Sequence, residues 1–174
     1  MDIDWVNHGI GFVLSIGTSI VFILLLLFFL QPRIEISDKI CYKTQKGKKF
    51  YFFKIVNRSW FSAYTIEFEL YKKIPYIVDK VKVNHRIEEI ALSRSKFYSI
   101  PPYKRTKGYG DHAVLIRTFE DLNKDINVKN QEYILIVSAK HGLFNLTKVT
   151  TQTFENSEVF HKGHFKFGKN LGVC

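Results

Sequence analysis

The hydrophobic residues divide the chain into two parts with different periods. Residues 10–30 form a run of 21 residues without a charge, IGFVLSIGTSIVFILLLLFFL. A helix of this length rises about 1.5 Å per residue and spans roughly 30 Å, the thickness of the hydrocarbon core of a bilayer. From Arg33 onward, apolar and polar residues alternate, which is typical of half-buried β-strands. The pattern therefore predicts a transmembrane helix followed by a β domain.

The predicted strands are short and are separated by turn signals. Runs rich in Val, Ile, Tyr, Phe and Thr occur at residues 33–37, 39–43, 49–57, 63–71, 76–83, 112–118, 132–139, 148–154 and 164–167. Pro101, Pro102, Gly108 and Gly110 mark one of the turn regions. Many short strands without a long amphipathic helix are typical of an antiparallel immunoglobulin-like β-sandwich or a small barrel. We therefore expect an N-terminal transmembrane helix plus an all-β domain.

The charges that flank the apolar run predict its orientation. Its N-terminal side has no Lys or Arg, whereas its C-terminal side is followed closely by Arg33, Lys39, Lys43, Lys46, Lys48 and Lys49. By the positive-inside rule, residues 1–9 lie outside the inner membrane, residues 10–30 cross it, and residues 31–174 form one cytoplasmic domain. A cleaved signal peptide is the alternative, but the acidic start and the missing small-residue cleavage site argue against it.

Small residues recur in the outer half of the predicted helix. Gly11, Ser15 and Ser19 follow one another at a spacing of four, the small-xxx-small pattern of helix association in membranes. If several copies surround an axis, Ser15, Ser19 and Phe22 face it, and Phe22 or Leu26 forms a hydrophobic constriction. The alternative is a plain anchor that does not line a pore.

The net charge points to an anionic partner. The formal charge of the whole chain is +10, but residues 33–174 alone hold 26 basic and 14 acidic residues, a surplus of 12. Solubility alone does not require so large a surplus. A polyanion such as a nucleic acid, or the anionic headgroups of a bilayer, would be attracted to this domain.

One predicted loop combines cations with aromatic rings. Residues 99–110 read SIPPYKRTKGYG, in which two prolines precede three basic residues. Cations neutralise phosphates and aromatic faces stack bases, so this loop is the candidate nucleotide site. Its proposed ligand-binding residues are Tyr103, Lys104, Arg105, Lys107 and Tyr109. A solvated surface is the equal alternative, whereas for Lys46, Lys48 and Lys49 contact with lipid headgroups is preferred, because they follow the membrane segment closely.

Catalytic motifs are absent from the sequence. It contains no Gly-x-Ser-x-Gly, no phosphate-binding loop, no His-Glu-x-x-His and no dinucleotide fingerprint. His161, His164 and Cys174 could in principle bind a metal, but their lysine-rich and glycine-rich surroundings favour solvated side chains. We therefore expect a protein without enzymatic activity, with no catalytic residue, no metal and no cofactor.

The order of segments resembles the small single-span membrane effectors of bacterial anti-phage systems. The similarity extends to the final runs KVTTQTF at 148–154 and FHKGHFKFG at 160–168. They are similar to the closing strands of such effectors and, more distantly, to those of the cytoplasmic immunoglobulin-like domain of inward-rectifier potassium channels. The selectivity-filter motif of those channels is absent. Among such effectors, the chain resembles the Hailong type, channel subunits controlled by an oligodeoxynucleotide.

The resemblance implies a function without assigning residues to it. It implies a homo-oligomer, expected to be a tetramer, that forms a pore in the inner membrane. It also implies control by an oligonucleotide or a cyclic nucleotide made by a nucleotidyltransferase. The alternative from another class is a single-pass adaptor that presents its β-sandwich to a protein partner and forms no pore.

Overall fold

The computed structural model describes residues 3–45, 47–78, 82–104, 110–122, 131–141 and 145–174. The chain forms two compact units, Met1–Gln31 and Pro32–Cys174. The first unit contains one helix, α1 (Ile3–Leu30). Within α1, Asn7–Leu30 is 24 residues long with a hydropathy of 2.8, so it is long and apolar enough to cross a membrane. The second unit is a β domain with two sheets.

The first sheet is built around β3 (Lys48–Asn57), which is rich in apolar residues because it is the central strand. One edge of β3 pairs with two successive strands, β1 (Ile34–Ile36) and β2 (Ile40–Gln45), and the other edge pairs with β7 (Ala113–Thr118). All of these pairs are antiparallel. A short strand near the C-terminus, β10 (Phe160–Lys162), pairs in parallel with β2, which differs from the predicted antiparallel arrangement.

The second sheet is built around β4 (Ala63–Val78). One edge of β4 pairs with β5 (Lys82–Ile90) and β6 (Lys96–Ile100), and the other edge pairs with β8 (Glu132–His141). The last strand, β9 (Thr147–Phe154), lies against β8. Between β5 and β6 the chain reaches the first sheet, where the Ser93 amide donates a hydrogen bond to the Arg117 carbonyl at 2.8 Å.

The core lies between the two sheets. Alternate residues of each strand point inward, as period-two patterning requires. On β3 these include Phe53 and Ile55, and on β8 they include Leu135 and Val137. The rings of Phe53 and Phe154 join the sheets with centroids 5.6 Å apart. The prediction of one apolar helix followed by an all-β domain is confirmed.

A hairpin of residues 164–174, here called the C-terminal hairpin, covers the outer face of the first sheet. The Cys174 amide donates to the His164 carbonyl at 2.8 Å, and Phe165 pairs with Val173. Gly163 precedes the hairpin with φ +142°, and a Cβ there would lie 2.2 Å from the Cys174 carbonyl oxygen. Only glycine fits at that position. The strand predicted at 164–167 is therefore one arm of this hairpin.

Candidate ligand-binding site

Tyr103 lies in the loop that follows β6, and its surroundings are well defined. Its amide donates to the Ser59 carbonyl at 3.3 Å. The half-buried ring meets the His112 ring edge to face, with centroids 5.0 Å apart, and the Lys169 ammonium lies 5.2 Å from its centre. A cation therefore covers the Tyr103 ring, where the sequence predicted an open stacking surface.

The other predicted ligand-binding residues divide into two groups. Lys104 follows Tyr103 and is exposed. Arg105, Lys107 and Tyr109 lie outside the described residues. The structure thus places two of the five predicted residues, and these two are neighbours in the chain.

Arg58 and Lys169 belong to the same site, although the sequence did not single them out. One terminal nitrogen of Arg58 donates to the Lys169 carbonyl at 2.9 Å, while Nε pairs with the carboxylate of Glu35. We call Arg58, Tyr103, His112 and Lys169 the Tyr103 cluster. Arg58 follows β3 in a turn and Lys169 lies in the C-terminal hairpin, so only the tertiary fold brings them together.

His112 forms the buried wall of the Tyr103 cluster. Its side chain is 1% exposed, and neither ring nitrogen makes a hydrogen bond within the described ranges. Burial lowers the pKa of His112, and the positive charges of Arg58 and Lys54 lower it further, against a smaller opposing effect of Asp111. The ring is therefore neutral at pH 7 and acts as a packing surface for Tyr103.

The position of Lys169 is fixed by hydrogen bonds to the residues around it. Lys54 is 3% exposed, and its ammonium donates to the carbonyls of Lys166 at 2.5 Å and Asn170 at 2.8 Å. Burial lowers the pKa of Lys54. The Ser37 hydroxyl donates to the Leu171 carbonyl at 3.0 Å. These side chains of the first sheet hold the tip of the C-terminal hairpin against the sheet.

Gly110 allows a second contact between the hairpin and the loop before β7. A Cβ at Gly110 would lie 2.9 Å from the end of the Phe167 ring. In the sequence, the glycines of this loop indicate turns. The structure gives Gly110 an additional role, since its lack of a side chain lets Phe167 pack against the backbone.

An open cleft of about 500 Å³ adjoins the Tyr103 cluster. Its lining combines two acidic and three basic side chains with the backbone of the hairpin tip, namely Glu35, Asp38, Lys39, Arg58, Lys169, Asn170, Leu171 and Gly172. Because Arg58 is already paired with Glu35, Lys39 and Lys169 are the cations best placed to receive an anionic group.

A second cavity lies under the C-terminal hairpin and holds about 50 Å³. Its lining includes Cys41, Phe52 and Phe165, and it has room for water molecules only. Burial raises the pKa of the Cys41 thiol to about 11, so this sulfur is protonated at neutral pH and is a poor nucleophile.

The small side chains of α1 leave a shallow depression along one face of the helix. Leu14, Ser15, Thr18, Ser19 and Phe22 line it. The hydroxyls of Ser15 and Ser19 donate to the carbonyls four residues earlier, each at 2.8 Å. Their protons are therefore satisfied inside the helix, as an apolar environment requires. Gly11 lies on the same face, and a Cβ there meets nothing within 4 Å in the described part of the chain.

The histidines considered as metal ligands are spread over different elements. His161 lies on β10 opposite Cys41, and His164 opens the C-terminal hairpin. Among the described residues, no group of three or more His, Cys, Asp or Glu side chains could hold a metal ion.

Comparison of the chain with protein families and with curated protein sequences gives no match. The geometry of the site is therefore the basis for functional inference.

Proposed function

We propose that the chain is a subunit of a homo-oligomeric membrane effector of bacterial antiviral defence. In this proposal α1 crosses the inner membrane with its N-terminus outside. The cytoplasmic β domain binds an oligonucleotide or a cyclic nucleotide that a nucleotidyltransferase produces. Binding shifts the oligomer, expected to be a tetramer, between a closed and a conducting state, and conduction depolarises the cell.

The Tyr103 cluster is the observation that carries this proposal. It places the cation of Lys169 directly on an aromatic ring, with Arg58 hydrogen-bonded to the same hairpin residue. Phosphate neutralisation by cations and base stacking on aromatic rings are the two interactions by which proteins bind single strands. The surplus of 12 basic residues after position 32 supports the same class of ligand.

The cluster also offers a way to couple ligand binding to a structural change. A base that stacks on the outer face of Tyr103 must displace the Lys169 ammonium, which can then pair with a phosphate of the same ligand. Lys169 belongs to the C-terminal hairpin, so its displacement loosens the contact between the hairpin and the loop after β6, which contains Tyr103. A ligand shifts a conformational equilibrium only by its difference in affinity for the two states. The ligand therefore opens the pore if it binds the conducting state more tightly, and closes it if it binds the closed state more tightly.

The small-residue face of α1 supports the pore-forming part of the proposal. Gly11, Ser15 and Ser19 permit close packing of several helices, with Phe22 at the inner end of that face. Without charged side chains along residues 10–30, the narrow part of such a pore would be controlled by hydrophobic constriction.

Binding to the full-length oligomer in detergent tests the proposal. Fluorescent dA, dT and mixed deoxyoligonucleotides and cyclic oligonucleotides are titrated at physiological salt. We expect at least one class to bind with a Kd below about 100 micromolar, which corresponds to roughly −5.5 kcal/mol. Binding of none of them in that range would contradict the proposal, as would binding to anionic vesicles alone.

The β4–β5 hairpin favours a second candidate function, that of a membrane-anchored adaptor without a pore. β8 pairs with β4 only as far as Lys73, so residues 74–78 pair on one edge only, with β5, among the described strands. Exposed Ile77 and Val83 are directly opposite each other on this ribbon. Such a surface suits a protein partner. A neighbouring nucleotidyltransferase gene favours the effector, and an envelope or secretion operon favours the adaptor.

A further inference from the structure

The chain enters the β domain at one of its ends. Arg33 is three residues after Leu30, a distance of about 10 Å at most for extended chain. The Arg33 amide donates to the Ser59 hydroxyl at 2.6 Å, and the Arg58 amide donates to the Arg33 carbonyl at 2.7 Å. The β3–β4 loop, residues 58–62, therefore lies beside Arg33, at the end of the domain where the chain enters it.

The end at which the chain enters the β domain carries exposed aromatic side chains. Trp60 is 85% exposed and Phe61 is 41% exposed. Nearby on the second sheet, the rings of Tyr64 and Tyr98 meet with centroids 6.1 Å apart, and Tyr98 is 84% exposed. Trp and Tyr are enriched where a protein meets the headgroup region of a bilayer, because each has an apolar body and a polar tip.

The cations that the sequence assigned to lipid contact lie at the opposite end of the domain. Lys48 pairs with Gln45 at one end of β3, whereas Asn57 pairs with Ile34 at the other. These two ends are nine positions apart along β3, a distance of about 30 Å. Closeness in sequence to the membrane segment therefore does not place Lys48 and Lys49 near the bilayer, and Lys46 lies outside the described residues.

We propose that Trp60 and Phe61 insert into the headgroup region of the bilayer and fix the β domain against it. Lys104 lies at the same end, next to Tyr103, whose amide binds the Ser59 carbonyl, and it provides charge complementarity to anionic lipids. This inference rests on the part of the proposed function in which α1 spans a membrane. It adds a second attachment of the β domain to the bilayer, besides α1.

The fluorescence of Trp60 tests this inference directly. The chain has two tryptophans, so Trp5→Phe leaves Trp60 as the only one. The full-length variant is reconstituted into phosphatidylcholine–phosphatidylglycerol vesicles with spin labels near the headgroups or near the bilayer centre. We expect the Trp60 emission to shift to shorter wavelength relative to aqueous tryptophan. We also expect stronger quenching by the shallow label than by the deep label, and protection from iodide in solution.

A matched control places the only tryptophan at the far end of the domain. In Trp5→Phe/Trp60→Phe/Lys48→Trp, the emission should remain accessible to iodide and unaffected by lipid labels. Quenching of Trp60 by iodide but not by lipid labels would overturn the inference. Protection from both quenchers would also overturn it, since protein would then cover Trp60. Release of the protein from the vesicles by alkaline carbonate would refute the membrane span of α1 itself. This measurement therefore distinguishes failure of the membrane span from failure of the Trp60 inference.

Discussion

The ammonium of Lys169 lies 5.2 Å from the centre of the Tyr103 ring. This contact joins the C-terminal hairpin to the loop after β6, two segments far apart in the sequence. Lys54 fixes the hairpin side by binding the carbonyls of Lys166 and Asn170. On the loop side, the buried ring of His112 supports Tyr103. The candidate ligand site is therefore connected to the packing of the whole first sheet.

Replacing Lys169 should weaken nucleotide binding in a salt-dependent way. Each phosphate contact to a single strand contributes about 0.7 to the slope of log affinity against log salt. Lys169→Gln is therefore expected to reduce the slope by about 0.7 and to weaken binding across all sequences. Lys48→Gln, an exposed lysine at the far end of β3, is the control and should leave the slope unchanged. Equal slopes for both variants would contradict a role for Lys169.

Removing the buried ammonium of Lys54 should destabilise the domain. Lys54→Met leaves the carbonyls of Lys166 and Asn170 without their donor, at a cost of about 1–3 kcal/mol for an unpaired buried group. We expect lower thermal stability in detergent and faster hydrogen exchange at the amides of Lys166 and Cys174. Lys162→Met, on the exposed side of β10, is the control. Unchanged exchange in the hairpin would show that Lys54 does not hold it.

Alkaline pH should destabilise the protein through Cys41. The pKa of its thiol is raised by burial from 9.0 to about 11, so between these values the unfolded chain releases a proton that the folded chain retains. The free energy of unfolding should therefore fall from pH 9 to pH 11, and this thiol contributes at most about 1.4 kcal/mol per pH unit to that fall. Below pH 9 the thiol is protonated in both states, so its titration should not change the free energy of unfolding. Denaturation curves of the wild type and Cys41→Ala should converge over that window. Cys174→Ala, which alters an exposed thiol, should follow the wild type. Parallel curves for the wild type and Cys41→Ala would contradict the assignment.

Bulky residues on the small-residue face of α1 should disrupt assembly. Gly11→Leu with Ser15→Leu separates packed helix backbones, so we expect a smaller oligomer by native mass spectrometry and loss of toxicity in cells. Gly17→Leu is the matched control, because this glycine lies on the opposite face of α1 and a Cβ there also meets nothing within 4 Å in the described part of the chain. Normal assembly of the double variant would mean that the β domain alone holds the oligomer together.

The sequence predicted the central strands well, because their patterns are dominated by burial. The runs predicted at 49–57 and 132–139 correspond to the inner strands β3 and β8 within a few residues. The run predicted at 148–154 also corresponds to a strand, β9, although β9 lies at the edge of its sheet. β5 and β6 were missed. β5 contains Arg86, Glu88 and Glu89, whose charges obscure the period of two at the edge of the sheet. The run predicted at 76–83 joins the end of β4 to the start of β5, since Ile77 and Val83 on the exposed ribbon look like buried strand residues.

The candidate site was only partly predictable, for a different reason. Tyr103 and Lys104 lie together in the sequence, so a local pattern of cations and aromatics revealed them. Arg58 and Lys169 reach the site through long-range pairing, and neither has a distinctive local pattern. Lys54 reads as one polar residue in a strand, and its burial depends on a hairpin formed by the last eleven residues shown. Local patterns identify elements and loops, whereas contacts between distant segments need the tertiary structure.

Ionic conductance of the full-length protein in planar bilayers tests the central claim most directly. The protein is reconstituted in phosphatidylethanolamine–phosphatidylglycerol, and current is recorded before and after addition of deoxyoligonucleotides or cyclic oligonucleotides on the side of the β domain. We expect a conductance that one of these ligands switches on or off, at a higher ligand concentration for Lys169→Gln than for Lys48→Gln. A membrane that stays non-conducting with and without every ligand, or a current that none of them changes, would contradict the central claim.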